Sequence, residues 1–305
     1  VPHGRMHQPQ RVRPATEPPA TACAWPRRPF VPLAVERSLL PALVCSRAER
    51  GMMRVQPGPR LPKLRTACER LGITLEQALS LRRHHIGANH KGRSADLMQL
   101  GSPADVLASS THFEEAVAEY LRAAGVVFLS EADQKAQKGT GLPTPDFLLR
   151  VPLTIRTTHH ALDEISRVEC RRDTDGILYS EQIVNDFYRD GGRSWAAMAP
   201  PSASAHTRGS EINTVNWIEA KFFYAASSVA MDGKSAVGKL HAVVEKYVRQ
   251  FGPGALVLAY GSGAEIAAEL EARGAIVLDA SPLDLRALHA HMRTWCAGAD
   301  GELLP

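Results

Sequence analysis

The sequence predicts an α/β protein in which helices cover both faces of a mixed β-sheet. Two observations lead to this fold class. The continuous apolar runs at 255–260 and 275–278 are typical of strands that are buried on both faces. Around these runs, apolar residues recur with helical spacing, so helices and strands alternate along the C-terminal half of the chain.

Residues 1–60 form an Arg- and Pro-rich leader that we expect to be disordered. They contain ten Arg, no Lys and three acids, and they show no sustained apolar periodicity. Such a composition buries too little surface to offset the entropy lost on ordering. Leaders that are rich in Arg and poor in acids also resemble organelle transit peptides. The rest of the chain holds 26 of the 36 basic and 29 of the 32 acidic side chains, so it lacks the overall basic charge common in nucleic-acid enzymes.

Residues 61–106 are predicted to be helical, with helix-turn-helix character. An apolar helical stripe ends at Leu71, and Gly72 directly after it suits a helix C-cap. Thr74 and Gln77 have the spacing of a capping box that begins a second helix. Short helices joined at a glycine are typical of a helix-turn-helix, although an ordinary helical packing subdomain accounts for the same pattern.

The region 107–298 is predicted to be one domain of helices and strands. A long irregular stretch, 157–214, is interpreted as an insertion at the tip of a hairpin, because unstructured connections of this length are uncommon inside compact domains. The predicted elements are, in order, a helix over 111–124 capped by Ser110 or Thr111, a strand at 126–129, a strand over 144–155 broken near Pro152, a strand at 215–221, a helix over 235–250, a strand at 255–260, a helix over 265–271, a strand at 275–278 and a helix over 282–295.

Two of these strands carry acids in a pattern that suits metal-dependent chemistry. A Thr-Pro-Asp string ending at Asp146 opens one strand, and a Glu-Ala-Lys string from Glu219 to Lys221 ends another. If the strands are neighbours, both carboxylates face one cleft, where hard oxygen ligands would bind Mg²⁺ together with water and a phosphate oxygen. Lys221 lies two residues after Glu219, so it points to the same face of the strand. A lysine there can orient a water molecule or neutralise charge on a scissile phosphate.

A third carboxylate is expected from the helix at 111–124. Glu114 aligns with the apolar side of that helix and is preferred to Glu115 as the third metal ligand. Acids near a helix N-terminus are also favoured by the helix dipole without any further role. For Glu219 and Lys221, a solvated salt bridge at the strand end is the simpler interpretation, but a charge pair on an apolar strand is costly unless it is used or solvated.

The ordered strings of this chain resemble the codanin-interacting nuclease family of the PD-(D/E)xK superfamily. The resemblance covers roughly residues 60–280, and it implies a restriction-endonuclease-like fold and Mg²⁺- or Mn²⁺-dependent cleavage of phosphodiester bonds. It also implies that Asp146, Glu219 and Lys221 are catalytic, that a codanin-like protein is a partner, and that the protein occurs in the nucleus and cytoplasm. The strings that carry the resemblance are Thr144-Pro145-Asp146-Phe147-Leu148-Leu149, Asn216-Trp217-Ile218-Glu219-Ala220-Lys221 and Phe251-Gly252-Pro253-Gly254 with Tyr260-Gly261.

Three functions are therefore considered. The preferred one is a metal-dependent nuclease that acts on DNA, with RNA as the less favoured substrate. The alternative is a non-catalytic adaptor of the same fold that binds a codanin-like partner, which the neutral-to-acidic body favours. The weakest is a helix-turn-helix regulator, which depends on residues 61–90 alone. Five scattered cysteines without CxxC spacing give no sign of a disulfide scaffold or a structural zinc site, and no apolar run approaches the about 20 residues of a membrane helix.

Overall fold

The computed structural model describes the parts of the chain that position the candidate site. These are residues 22–43, 45–46, 53–54, 68–69, 71–81, 102–138, 143–159, 171–172, 178–179, 211–229 and 236–296. Within them, no helix combines the length and the apolar character needed to cross a membrane.

Six helices and ten strands are assigned in these residues, and residues 75–81 are also helical. The helices are α1 (Leu33–Leu43), α2 (Pro103–Ala123), α3 (Glu131–Lys138), α4 (Ala236–Phe251), α5 (Ala264–Ala272) and α6 (Arg286–Met292). The strands are β1 (Ala22–Arg27), β2 (Cys45–Ser46), β3 (Met53–Arg54), β4 (Phe128–Ser130), β5 (Phe147–His159), β6 (Arg171–Arg172), β7 (Leu178–Tyr179), β8 (Glu211–Lys221), β9 (Gly254–Leu258) and β10 (Ala275–Asp279).

A six-stranded mixed sheet forms the centre of the fold. Its order is β1-β5-β8-β9-β10, and β4 pairs with the N-terminal part of β5. β5 runs antiparallel to β4 and β8 but parallel to β1, whereas β8, β9 and β10 are parallel to one another. Apolar residues of α2 and α6 share one buried cluster with the sheet, and those of α4 and α5 share another. The predicted α/β class, a mixed sheet flanked by helices, is thus confirmed.

The two strands that carry the predicted site form a long antiparallel hairpin. β5 is continuous, but its register against β8 shifts between Leu148 and Leu153, so Pro152 lies in an irregular stretch rather than at a break. Such irregularities tolerate a residue without an N–H group. Thr157 pairs with Glu211, so the predicted insertion was drawn too wide, and the connection spans 160–210. Its only described residues are the two-stranded pair β6 and β7.

The predicted disorder of residues 1–60 is wrong for β1 and α1. β1 is an edge strand that pairs with β5 and buries Trp25 completely. The indole Nε1 of Trp25 donates a hydrogen bond to the Asp279 carbonyl at 2.9 Å, so β1 also contacts the opposite edge strand, β10. Pro26 is tolerated because an edge strand needs no ladder hydrogen bond on its outer side. The prediction used the average composition of residues 1–60 and therefore overlooked Trp25, the large buried side chain that anchors β1.

The capping box predicted for the helical region is confirmed. The Thr74 N–H donates to Gln77 Oε1 at 2.9 Å, and the Gln77 N–H donates to Thr74 Oγ1 at 3.2 Å. Gly72 has a φ of 67°, which lies in the left-handed region that favours glycine. The helix-turn-helix itself stays a prediction, because residues 82–101 lie outside the described part of the chain.

Two helices near the site differ from prediction. α2 begins at Pro103 instead of 111, and its N-cap is Ser102, which forms a capping box with Asp105. The predicted caps at Ser110 and Thr111 are therefore wrong. The true start was missed because Ser109 is the one buried residue of 103–110, so these turns carry no buried apolar stripe. α3 was not predicted at all, since Gln134 is the one buried residue of its described side chains.

Candidate active site

Three of the predicted site residues meet at one end of the β5–β8 pair. The Lys221 Nζ lies 2.6 Å from Glu219 Oε1 and 3.6 Å from Asp146 Oδ2. The side chain of Glu219 is 6% exposed, that of Asp146 17% and that of Lys221 29%. The Glu219–Lys221 pair is thus largely enclosed and is not a solvated salt bridge at the surface.

Backbone hydrogen bonds hold both carboxylates in place. The ladder between β5 and β8 reaches Phe147, which pairs with Ile218. Just beyond that pair, the Asp146 N–H donates to Glu219 Oε2 at 3.0 Å, and the Ala220 N–H donates to Asp146 Oδ2 at 2.8 Å. Each carboxylate therefore accepts from the backbone of the facing strand. This reciprocal pair continues the ladder with side chains and fixes the two acids relative to one another.

The enclosed charges perturb one another strongly. Burial and the neighbouring Asp146 carboxylate raise the pKa of Glu219 to about 7. Burial also raises the pKa of Asp146, although the Lys221 ammonium and the Ala220 amide act in the opposite direction. Burial alone would lower the pKa of Lys221, but Glu219 and Asp146 outweigh it and raise that pKa. Lys221 therefore remains a cation at neutral pH, beside two acids that resist full ionisation.

Of the two acids considered on α2, Glu114 is the one that interacts with this cluster. Burial raises the pKa of Glu114 to about 6, Asp146 adds to the increase, and Lys221 opposes it. Glu115 is exposed. Among the described residues, however, no three His, Cys, Asp or Glu side chains come close enough together to hold a metal ion. Asp146 and Glu219 are thus a two-carboxylate set, with Glu114 as a charged neighbour.

Three further residues at this site were missed by the sequence analysis. Gln134 Nε2 donates to the Pro145 carbonyl at 2.7 Å, and the Tyr247 hydroxyl donates to the Thr144 carbonyl at 3.1 Å. Thr144 Oγ1 donates in turn to Glu131 Oε1 at 3.2 Å. Gln134 and Glu131 belong to the unpredicted helix α3, and Tyr247 looked like an ordinary residue of the apolar face of α4. No pattern in the sequence linked them to the site.

The chemistry of the donor set fits Mg²⁺ or Mn²⁺. The carboxyl groups of Asp146, Glu219 and Glu114 all have raised pKa values, and Lys221 is the cation that counteracts all three. A divalent cation would relieve the remaining repulsion among them. Mg²⁺ is commonly held by one or two carboxylates, with water and phosphate oxygens as its other ligands, so two protein carboxylates suffice.

No family model, curated protein or solved structure matches this chain. The resemblance to the codanin-interacting nucleases therefore stays a prediction, and the site is interpreted from its own geometry.

Proposed function

We propose that this protein is a Mg²⁺- or Mn²⁺-dependent nuclease that hydrolyses phosphodiester bonds, with DNA as the preferred substrate. The proposal includes a restriction-endonuclease-like fold for the sheet. The observation that supports it best is the convergence of Asp146, Glu219 and Lys221 where β5 begins and β8 ends. Two enclosed acids beside a lysine provide both a cation site and a positive group for a phosphate substrate.

Each residue has a distinct role in this proposal. Asp146 and Glu219 would hold the ion, and Glu114 would complete its acidic surroundings. When bound, the ion supplies Lewis-acid activation of the phosphate. Lys221 stays charged, so its ammonium orients the attacking water or stabilises negative charge that develops on the phosphate. The backbone bonds to Asp146 and Glu219 keep these groups in place before the substrate arrives.

An adaptor of the same fold that binds a codanin-like protein is the second candidate function. The observation in its favour is the charge of the chain after residue 60, where 29 acids outnumber 26 basic residues. A nucleic-acid enzyme gains affinity from a basic surface, whereas a protein-binding adaptor does not need one. The family resemblance favours a nuclear and cytoplasmic location for either function.

The test is cleavage of branched, single-stranded and duplex DNA by the purified protein with Mg²⁺, Mn²⁺ or EDTA. Metal-dependent cleavage is expected, and Asp146→Asn and Lys221→Met should each slow it by a factor of about 100 to 1,000. Glu115→Gln, which removes an exposed acid of α2, is the control and should leave cleavage unchanged.

Two outcomes would count against the proposal. Cleavage that persists unchanged in both Asp146→Asn and Lys221→Met would exclude this cluster as the active site. Absence of cleavage on every substrate, with capture of a codanin-like protein that survives both substitutions, would favour the adaptor.

A further inference from the structure

The Thr144–Asp146 segment is held by side chains from two different helices. From α3, Gln134 Nε2 bonds to the Pro145 carbonyl at 2.7 Å, and from α4 the Tyr247 hydroxyl bonds to the Thr144 carbonyl at 3.1 Å. These two carbonyls directly precede Asp146 in the chain. Their orientation sets where the Asp146 backbone lies and therefore where its carboxylate can reach.

Burial of the Gln134 amide at this position costs free energy. The Gln134 side chain is completely enclosed, and within the described part of the chain its Oε1 has no hydrogen-bond partner. An unsatisfied buried oxygen is destabilising, so an apolar side chain of the same size would suit a simple packing role better. Its Nε2 contacts two acceptors, the carbonyls of Leu129 and Pro145, which fixes the orientation of the amide. The amide therefore has a specific role here. Its two N–H groups connect β4 to the peptide that precedes Asp146.

Tyr247 provides the second restraint. Its ring packs edge-on against Trp217 with centroids 5.2 Å apart, and the indole of Trp217 donates to the Gly252 carbonyl at 2.8 Å. Trp217 of β8 therefore packs against the ring of Tyr247, and the Tyr247 hydroxyl donates to the Thr144 carbonyl close to the Glu219 carboxylate. Tyr247 thus links the segment that precedes β5 to β8, the strand that carries Trp217.

We propose that Gln134 and Tyr247 are positioning residues that hold the Asp146 carboxylate against the Ala220 amide. An effect of these two residues on catalysis rests on the proposed nuclease function. Their effect on the position of the Asp146 carboxylate does not. Loss of either donor frees a carbonyl just before Asp146, so the peptide can rotate and the Asp146–Ala220 bond weakens. The same displacement would separate Asp146 from Glu219 as a pair of metal ligands.

The first test replaces the Gln134 amide with an apolar chain of similar size, Gln134→Met. Hydrogen exchange of the Ala220 amide, followed by NMR, should become about tenfold faster, because its acceptor is no longer fixed. Affinity for Mn²⁺ in the folded variant should fall by about 10- to 100-fold, as is usual when a residue that supports a metal ligand is removed. Gln137→Met is the matched control, since Gln137 lies on the same helix but is exposed.

The second test, Tyr247→Phe, removes only a hydroxyl. It tests the positioning role even if Gln134→Met does not fold. It should also speed exchange of the Ala220 amide, by about threefold, whereas Tyr260→Phe, which removes a hydroxyl elsewhere in the core, should not. Ala220 exchange at the wild-type rate in Tyr247→Phe and in every folded Gln134→Met sample would overturn the proposal. Faster Ala220 exchange in a protein that neither binds Mn²⁺ nor cleaves DNA would uphold the positioning role and reject the nuclease function.

Discussion

Glu36 and Glu219 are both buried glutamates, but their surroundings are opposite in kind. Glu36 Oε1 accepts from the Tyr224 hydroxyl at 2.7 Å and from the Ser227 N–H at 3.0 Å, and Oε2 accepts from the Ser228 N–H at 2.7 Å. All of these donors are neutral. Glu219 instead lies beside a second acid and a lysine.

The difference distinguishes a carboxyl group that joins structural elements from one that we propose binds a cation. Burial raises the pKa of both glutamates, so a raised pKa alone does not identify a catalytic group. The hydrogen bonds of Glu36 tie α1 to the segment that follows β8 and oppose the increase. At Glu219 the nearby Asp146 carboxylate raises the pKa further. Repulsion between these two acids does not by itself stabilise the fold. This crowding of like charges beside a lysine is the reason we propose that a cation completes the site.

The largest effect on stability is expected at Glu36. Glu36→Ala leaves the buried Tyr224 hydroxyl and two half-buried N–H groups without their acceptor, so the free energy of unfolding should fall by about 3 kcal/mol. Urea denaturation measures this change, with Arg37→Ala as the control on the exposed side of the same helix. A loss below about 1 kcal/mol would show that Glu36 is not a structural anchor and would remove the contrast with Glu219.

A smaller effect is expected from added Mg²⁺. At ten times the dissociation constant, binding to the folded state alone should raise the free energy of unfolding by about 1.4 kcal/mol. Asp146→Asn should abolish this increment, whereas Glu36→Ala should retain it despite its lower stability. Urea denaturation with and without Mg²⁺ provides the measurement. An equal increment in Asp146→Asn would mean that the cation binds elsewhere.

A third effect concerns pH in the absence of divalent cations. The pKa of Glu219 in the folded state is about 7, above its ordinary value of 4.5, so the folded state binds more protons between these values. The free energy of unfolding should therefore fall as pH rises from about 4.5 to 7, by up to about 3 kcal/mol through this group. Glu219→Gln should flatten this dependence, and the exposed Glu115→Gln should not. A slope unchanged by Glu219→Gln would contradict the electrostatic account of the site.

The convergence of Asp146, Glu219 and Lys221 could be predicted because strand geometry is regular. Residues two apart share a face, and an acid that opens one strand meets an acid that ends its antiparallel neighbour. The capping box at Thr74 and Gln77 could be predicted equally well, since it depends on two residues that are three apart in the sequence. Such local rules need no knowledge of the tertiary fold.

The elements that support the site could not be predicted, because they are held in place by tertiary contacts. α3 has no apolar stripe, and the helix is anchored by the enclosed Gln134, whose partners are the carbonyls of Leu129 and Pro145. β1 contains alanines and a proline, and its order depends on Trp25, which reaches the far edge of the sheet. Neither contact leaves a periodic signal in the sequence.

The central claim, that Asp146 and Glu219 form a divalent-cation site, is tested most directly by anomalous diffraction from crystals soaked in Mn²⁺. The account predicts an anomalous peak at manganese directly coordinated by the Asp146 and Glu219 carboxylates, and no peak there in Asp146→Asn crystals. Absence of a peak at these carboxylates at millimolar Mn²⁺, or a peak only at other residues, would contradict it.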